Sequence, residues 1–201
     1  MNHRHLIIFT RYPEPGKTKT RLIPALGEEG SANLQRQMTE QTIAKVKQLV
    51  KFVSLSFEIR FAGGNIQLMQ NWLGSDLKHQ QQGEGNLGDR MTIAFQSAFN
   101  KGNKYVVIIG IDCPKLTIDI IIQAFEKLTQ TDLVIGPAID GGYYLIGLSQ
   151  FIPELFREIN WGSAQVLEKT LTIAQLLNLV VGYLPILSDI DRPEDLNNLE
   201  S

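Results

Sequence analysis

Residues 11–22 place four cations (Arg11, Lys17, Lys19 and Arg21) and one glycine (Gly16) directly behind a short apolar run at residues 5–9. Cations concentrated at one point suit a polyphosphate: arginine grips phosphate bidentately, lysine acts as a point charge, and a glycine lets the backbone come close. Pro13 and Pro15 stiffen the loop, which lowers the entropy lost when it closes on a ligand. Gly16-Lys17-Thr18 invites a P-loop reading, but that motif needs a glycine where this chain has Arg11. The competing account is a solvated basic surface.

Aspartates form the second group. Asp112 follows the β-branched run at residues 104–111 and is turned at once by Cys113-Pro114. A carboxylate at the end of such a strand suits magnesium, which takes one or two carboxylates plus phosphate oxygens; otherwise Asp112 is a helix cap. Asp189 and Asp191 stand two residues apart, so in extended chain both carboxylates point one way, an arrangement that a shared cation relieves. Asp191 capping the helix opened by Pro193 is the alternative. Asp140, on the turn Asp140-Gly141-Gly142, could orient or deprotonate an acceptor hydroxyl, with Gly141, Gly142 and Tyr143 shaping the pocket and Trp161 covering it. An ordinary hairpin turn and a packing tryptophan are the plainer readings.

Gly85 and Gly88 could admit a ribose or base, and Arg90 could reach a phosphate, although a connector at a helix start accounts for the same residues. His3, His5 and His79 have no metal-ligand spacing, and Cys113 reads as a packing residue.

The elements that must carry these residues follow from hydrophobic period. Residues 5–9, 53–61, 104–111, 133–135, 143–148 and 179–184 read as strands, and residues 28–51, 66–73, 87–100, 118–128 and 164–177 as helices. Residues 80–88 read as a surface loop, and a short helix follows Pro193. Strands alternating with helices predict a single α/β domain over residues 1–201, with a mostly parallel sheet, helices on both faces and ligands at the strands' carboxyl ends.

With 201 residues, 43% hydrophobic and 20% charged, the chain can bury a core without disulfides. A net charge of −2 excludes a global pull toward nucleic acid polymers or anionic lipid, so anions must be caught locally. No run approaches membrane-spanning length. One cysteine and no secretory signal make cytoplasmic residence the expectation, and homodimer formation is compatible with the sequence.

With these residues in place, the chain resembles the bacterial glycosyltransferase-like selenodomain-associated transferase family of the nucleotide-diphospho-sugar transferase superfamily. The resemblance is carried by FTRYPEPGKTKTRL at 9–22, GNLGDRM at 85–91, GIDCPKL at 110–116, GPAIDGGYYLIGL at 136–148, NWGSAQVL at 160–167 and DIDRPEDL at 189–196. More distantly it is similar to phospholactate and molybdenum-cofactor guanylyltransferases, through residues 19–22 and 189–191, although the Leu-Ala-Gly-Gly start of the latter is absent. The resemblance implies a Rossmann-like glycosyltransferase-A fold and a magnesium or manganese ion on Asp112, Asp189 and Asp191. Taken together, the expectation is a metal-dependent transferase with a nucleotide or nucleotide sugar as donor and a small-molecule acceptor. Arg11, Gly16, Lys17, Lys19, Arg21, Gly85, Gly88 and Arg90 would bind the nucleotide, with Lys17, Arg21 and Asp140 acting in catalysis. Glycosyl transfer is the leading expectation. Nucleotidyl transfer to a phosphorylated acceptor and a non-catalytic nucleotide sensor are the alternatives.

Overall fold

The computed structural model describes residues 4–199. In chain order it runs β1 (Arg4–Arg11), α1 (Ile23–Leu49), β2 (Ser56–Ala62), α2 (Ile66–Leu73), β3 (His79–Gln81), α3 (Leu87–Asn100), β4 (Tyr105–Ile109), α4 (Ile118–Lys127), β5 (Leu133–Pro137), β6 (Tyr143–Leu148), α5 (Val166–Leu176) and β7 (Val181–Tyr183). The seven strands form one sheet in the order β3-β2-β1-β4-β6-β5-β7. All pairings are parallel except those of β6, which runs antiparallel to both β4 and β5.

The α/β class and the mostly parallel sheet agree with the expectation. Alternation along β1 sends Leu6 and Ile8 to the face covered by α1, α2 and α4, and Ile7 and Phe9 to the face covered by α3 and α5. Helix starts follow local chemistry: the Asn65 side chain accepts from Leu68 N–H, and the Thr117 side chain accepts from Ile120 N–H. Gly27, with φ 70°, breaks the first turns of α1 from the rest, so the regular helix begins where residue 28 was expected to open it.

Two elements differ from expectation. The strand read over residues 53–61 starts only at Ser56, and the loop read over residues 80–88 contains β3 at its front. Three residues, His-Gln-Gln, carry no apolar alternation, and only pairing of Ile59 with His79 through Phe61 with Gln81 makes them a strand. Among the described residues no helix is long and apolar enough to cross a membrane.

Where the sheet nears its β3 edge it buries charge. Glu58 and Arg60, both 0% exposed, lie on one face of β2, and Arg60 Nε donates to Glu58 Oε1 at 2.8 Å. Lys78 Nζ lies 2.7 Å from Glu58 Oε2, and His5 Nε2 lies 3.6 Å away. Burial alone would raise the Glu58 pKa, but bonds from His5, Lys78 and Arg60 outweigh it and hold the carboxyl far below its ordinary range. Glu58→Gln leaves Arg60 buried without its partner and is expected to cost about 3–5 kcal/mol in urea unfolding at neutral pH. Because the folded value is depressed, this contribution is complete above the unfolded carboxyl pKa of about 4.3 and is lost as pH falls toward the folded value. The gap between wild type and variant is therefore expected to narrow in unfolding curves recorded below about pH 4.

Candidate active site

Beyond β1 the cationic loop folds back over the carboxyl edge of the sheet. Tyr12 N–H donates to Ala62 O at 2.9 Å, and the buried Thr18 hydroxyl closes the loop by donating to Tyr12 O at 3.0 Å. Gly16 turns the chain at φ 73°, a conformation that favours a residue without a Cβ. Lys19 adopts the left-handed region at φ 46° although it is not glycine, which aims its side chain inward.

That side chain joins three distant parts of the chain. Lys19 Nζ donates to Asp112 Oδ1 and to Ile190 O, each at 2.7 Å, and only 5% of the side chain is exposed. Ile190 N–H in turn donates to Asp112 O at 2.8 Å, which sets residues 189–191 beside the end of β4. Arg21 Nη1 pairs with Asp191 Oδ2. The antiparallel course of β6 completes the convergence: Gly110 N–H donates to Tyr144 O at 3.0 Å, so the Asp140–Tyr143 turn reaches the same edge as Asp112.

The helix-cap alternatives for Asp112 and Asp191 do not hold. The cap of α4 is Thr117, not Asp112, and the N–H groups of Asp191 and Arg192 are taken by Asp195 Oδ2 at 3.1 and 2.7 Å, so the Asp191 carboxylate is not needed as a cap. Asp140 does serve its turn, accepting from Gly142 N–H at 2.8 Å, but it also lines the cleft. Burial first, and Asp140 next, push Asp189 up to about 6. Among the described residues no three His, Cys, Asp or Glu side chains gather closely enough to hold a metal by themselves.

The cleft has two connected parts. The larger, about 540 Å³, is lined by Arg11, Lys17, Lys19 and Arg21 at one end and by Gln35, Gln82 and Met91 among others. The smaller, about 270 Å³, is lined by Asp112, Asp140, Asp189 and Asp191, with Gly142, Tyr143 and Trp161 on its walls. Arg21, Leu87, Gly110, Asp112, Tyr143, Tyr144 and Asp191 belong to both.

Several residues expected at the ligand do not line either part. Asn86 and Asp89 form the capping box of α3, Gly85 precedes it at φ 90°, and Arg90 is turned back onto Gly85 O at 3.0 Å. Gly88 is small because a Cβ there would come within 2.5 Å of Trp161 Nε1 and 2.7 Å of Phe156 O. Gly16 and Gly141 also act through the backbone: Gly141, at φ 89°, leaves only 2.1 Å between a would-be Cβ and Ala164 O. Lys19 lines the cavity, but its ammonium is engaged by Asp112 and Ile190, so it braces the site more than it reaches for a ligand. Burial pushes the Tyr143 phenol and the Cys113 thiol above their ordinary values, so both remain protonated walls of the cleft. Gln35 and Gln82 went unread in the sequence; a polar residue on the buried stripe of α1, one turn before Thr39, was the available signal for the first.

Lys19→Met keeps the stem but removes both bonds of the ammonium. The expected result is a loss of about 2 kcal/mol in thermal unfolding, because charged hydrogen bonds of this kind contribute about 1.5–3 kcal/mol each and Asp112, half exposed, recovers part of its loss from water.

Comparison with known proteins bears on the fold and the family. A Desulfovibrio desulfuricans G20 protein provisionally assigned as a nucleotide-diphospho-sugar transferase is 35% identical, with TM-score 0.92 over 99% of this chain and 87% of its own. The 4-diphosphocytidyl-2C-methyl-D-erythritol synthase of Anaerococcus prevotii DSM 20548 shares the fold at 9% identity, with TM-score 0.62 over 99% of this chain and 97% of its own. The inositol-1-phosphate CTP transferase of T. maritima does so at 12% identity, with TM-score 0.59 over 100% and 94%. No curated protein matches the sequence. A family model described as an uncharacterized protein conserved in bacteria (DUF2064) matches residues 43–163, and the chain belongs to that family.

Proposed function

We propose that the protein is a metal-dependent transferase that moves a glycosyl group from a nucleotide sugar to a small acceptor without a phosphate. One observation carries the reading: the cleft is cationic where the first loop lines it and acidic beyond. Arg11, Lys17 and Arg21 face the larger cavity. Four carboxylates, Asp112, Asp140, Asp189 and Asp191, face the smaller one against Arg21, the one cation that lines it among the described residues. A diphosphate fits the first part. An acceptor bearing its own phosphate, as nucleotidyl transfer requires, would meet like charge in the second.

A magnesium or manganese ion would be held by carboxylates drawn from Asp112, Asp189 and Asp191, which do not by themselves make a three-ligand site, with phosphate oxygens of the donor supplying the rest of its shell. Bound there, it would offset charge on the donor's diphosphate. The protein's own residues do the rest. Lys17 and Arg21 hold the diphosphate, and Arg11 extends the cationic wall. The acceptor hydroxyl attacks the anomeric carbon as the bond from that carbon to the diphosphate oxygen breaks. The electron pair stays on the departing nucleoside diphosphate, which Lys17 and Arg21 stabilise, and the hydroxyl proton passes to Asp140. Gly142 N–H, donating to Asp140 Oδ1, fixes that carboxylate while Oδ2 remains open. Tyr143 and Trp161 pack edge to face, with centroids 6.5 Å apart, and wall the acceptor space.

The test is a panel of nucleotide sugars with polyol and amino-alcohol acceptors, read by free nucleoside diphosphate. Release of diphosphate is expected, with Asp140→Asn lowering kcat about 100-fold or more while donor KM changes little. Pyrophosphate formed from a nucleoside triphosphate and a phosphorylated acceptor would instead establish nucleotidyl transfer. Metal-dependent binding with no turnover across the panel would point to a sensor.

A further inference from the structure

We propose that the protein forms a homodimer in which β7 of one copy pairs antiparallel with β7 of a second copy, joining the two sheets into one.

The sheet ends at β7. One side of that strand is spent on β5: Leu133 N–H donates to Val180 O at 3.2 Å, and Leu184 N–H donates to Ile135 O at 2.9 Å. In a parallel ladder one residue turns both of its main-chain groups to its neighbour and the next residue turns both away. Residues 180, 182 and 184 therefore face β5, and Val181 and Tyr183 present their N–H and C=O groups at the open edge. Proteins commonly shield such an edge with lysine, proline or a bulge. The Val-Gly-Tyr of β7 has none of these, and Pro185 stands only past its end.

Side chains along the edge are apolar and open. Leu176 is 76% exposed, Val180 56%, Tyr183 52% and Ile186 67%. Between α5 and β7 runs a groove of about 420 Å³ whose apolar lining comes from Leu171, Leu179, Val181 and Tyr183.

The chemistry of this edge selects a second copy as its occupant. Residues 170–188 contain no Asp, Glu, Lys or Arg. Charge begins at the margins, with Glu168 at the groove and the Lys127 stem over Gly182 on the opposite face. A two-fold axis sets the residues near it against their own copies, so a charged edge repels itself and a neutral one does not. An anionic membrane or a charged peptide finds no countercharge along residues 170–188. The main chain is self-complementary as well. With the axis at Gly182, Val181 of each copy faces Tyr183 of the other, and each pair exchanges two N–H···O=C bonds. The same pairs set an aromatic ring beside a β-branched side chain over the groove, a favourable cross-strand combination. Gly182 meets its own copy at the closer spacing of a non-hydrogen-bonded pair, with no Cβ on either side.

Sedimentation velocity on the full chain across a range of concentrations, with amide exchange followed by NMR, tests the interface. The wild type is expected to dimerise with the Val181 and Tyr183 amides protected, and their exchange is expected to quicken ~10-fold or more on dilution to the monomer. Tyr183→Lys sets a charge on each side of the axis and is expected to weaken dimerisation ~100-fold, whereas Tyr183→Phe stays within ~3-fold of wild type. A chain that is monomeric at every concentration would overturn the proposal. So would a dimer that survives Tyr183→Lys while the Val181 and Tyr183 amides exchange freely, since its contact then lies elsewhere. A monomer that binds phosphatidylcholine vesicles through this edge would overturn it in favour of a membrane surface.

Discussion

One ammonium group organises the site. Lys19 sits in a strained backbone conformation on the first loop and donates to a carboxylate 93 residues away and a carbonyl 171 residues away. Those bonds tie the loop after β1 to the end of β4 and to residue 190, which Ile190 N–H also joins to Asp112 O, while direct pairing sets the register of β1 and β4. The strain is tolerable because two charge-assisted bonds in a nearly closed pocket outweigh it. Arg21 and Asp191 repeat the link at the more solvated rim. The loop thus arrives as a structured wall, with less order left to impose when a ligand binds.

The sheet then separates two chemistries within one cleft. Parallel strands β1 and β4 deliver the cationic loop and Asp112 to the carboxyl edge, as an open α/β sheet does at its switch point. The reversed strand β6 brings a tight turn with Asp140 to that edge from the opposite direction. Positive and negative groups therefore share the cleft in succession. Burial first, and then the like charge of Asp140, raise the Asp189 pKa.

The parts of the fold legible in the sequence were those written as period and punctuation: Leu6–Phe9 before the loop, the apolar stripe of α1, and the helices expected to open at residues 87 and 118. Strand β3 was not legible because three polar residues become a strand only through their neighbour. The direction of β6 was not legible either, since alternation looks the same in parallel and antiparallel strands. Among site residues, the aspartates could be placed because each follows a strand. Gly85, Gly88 and Arg90 do not line the cleft, and the sequence could not tell this because a glycine beside a helix start looks the same whether a ligand or a tryptophan approaches it. Asn86 and Asp89, three residues apart, held the capping signal that explains that segment. Lys19 read as a phosphate ligand because a bond across 93 residues leaves no trace in local spacing.

The central claim is that the loop cations and the aspartates from the middle and end of the chain form one site for a diphosphate and a divalent ion. Anomalous diffraction from crystals grown with manganese and a nucleoside diphosphate tests it most directly. The account predicts one manganese peak touching the Asp112 and Asp191 carboxylates, with the diphosphate against Lys17 and Arg21. A well-ordered nucleotide bound elsewhere on the molecule, with no peak at those carboxylates, would contradict it.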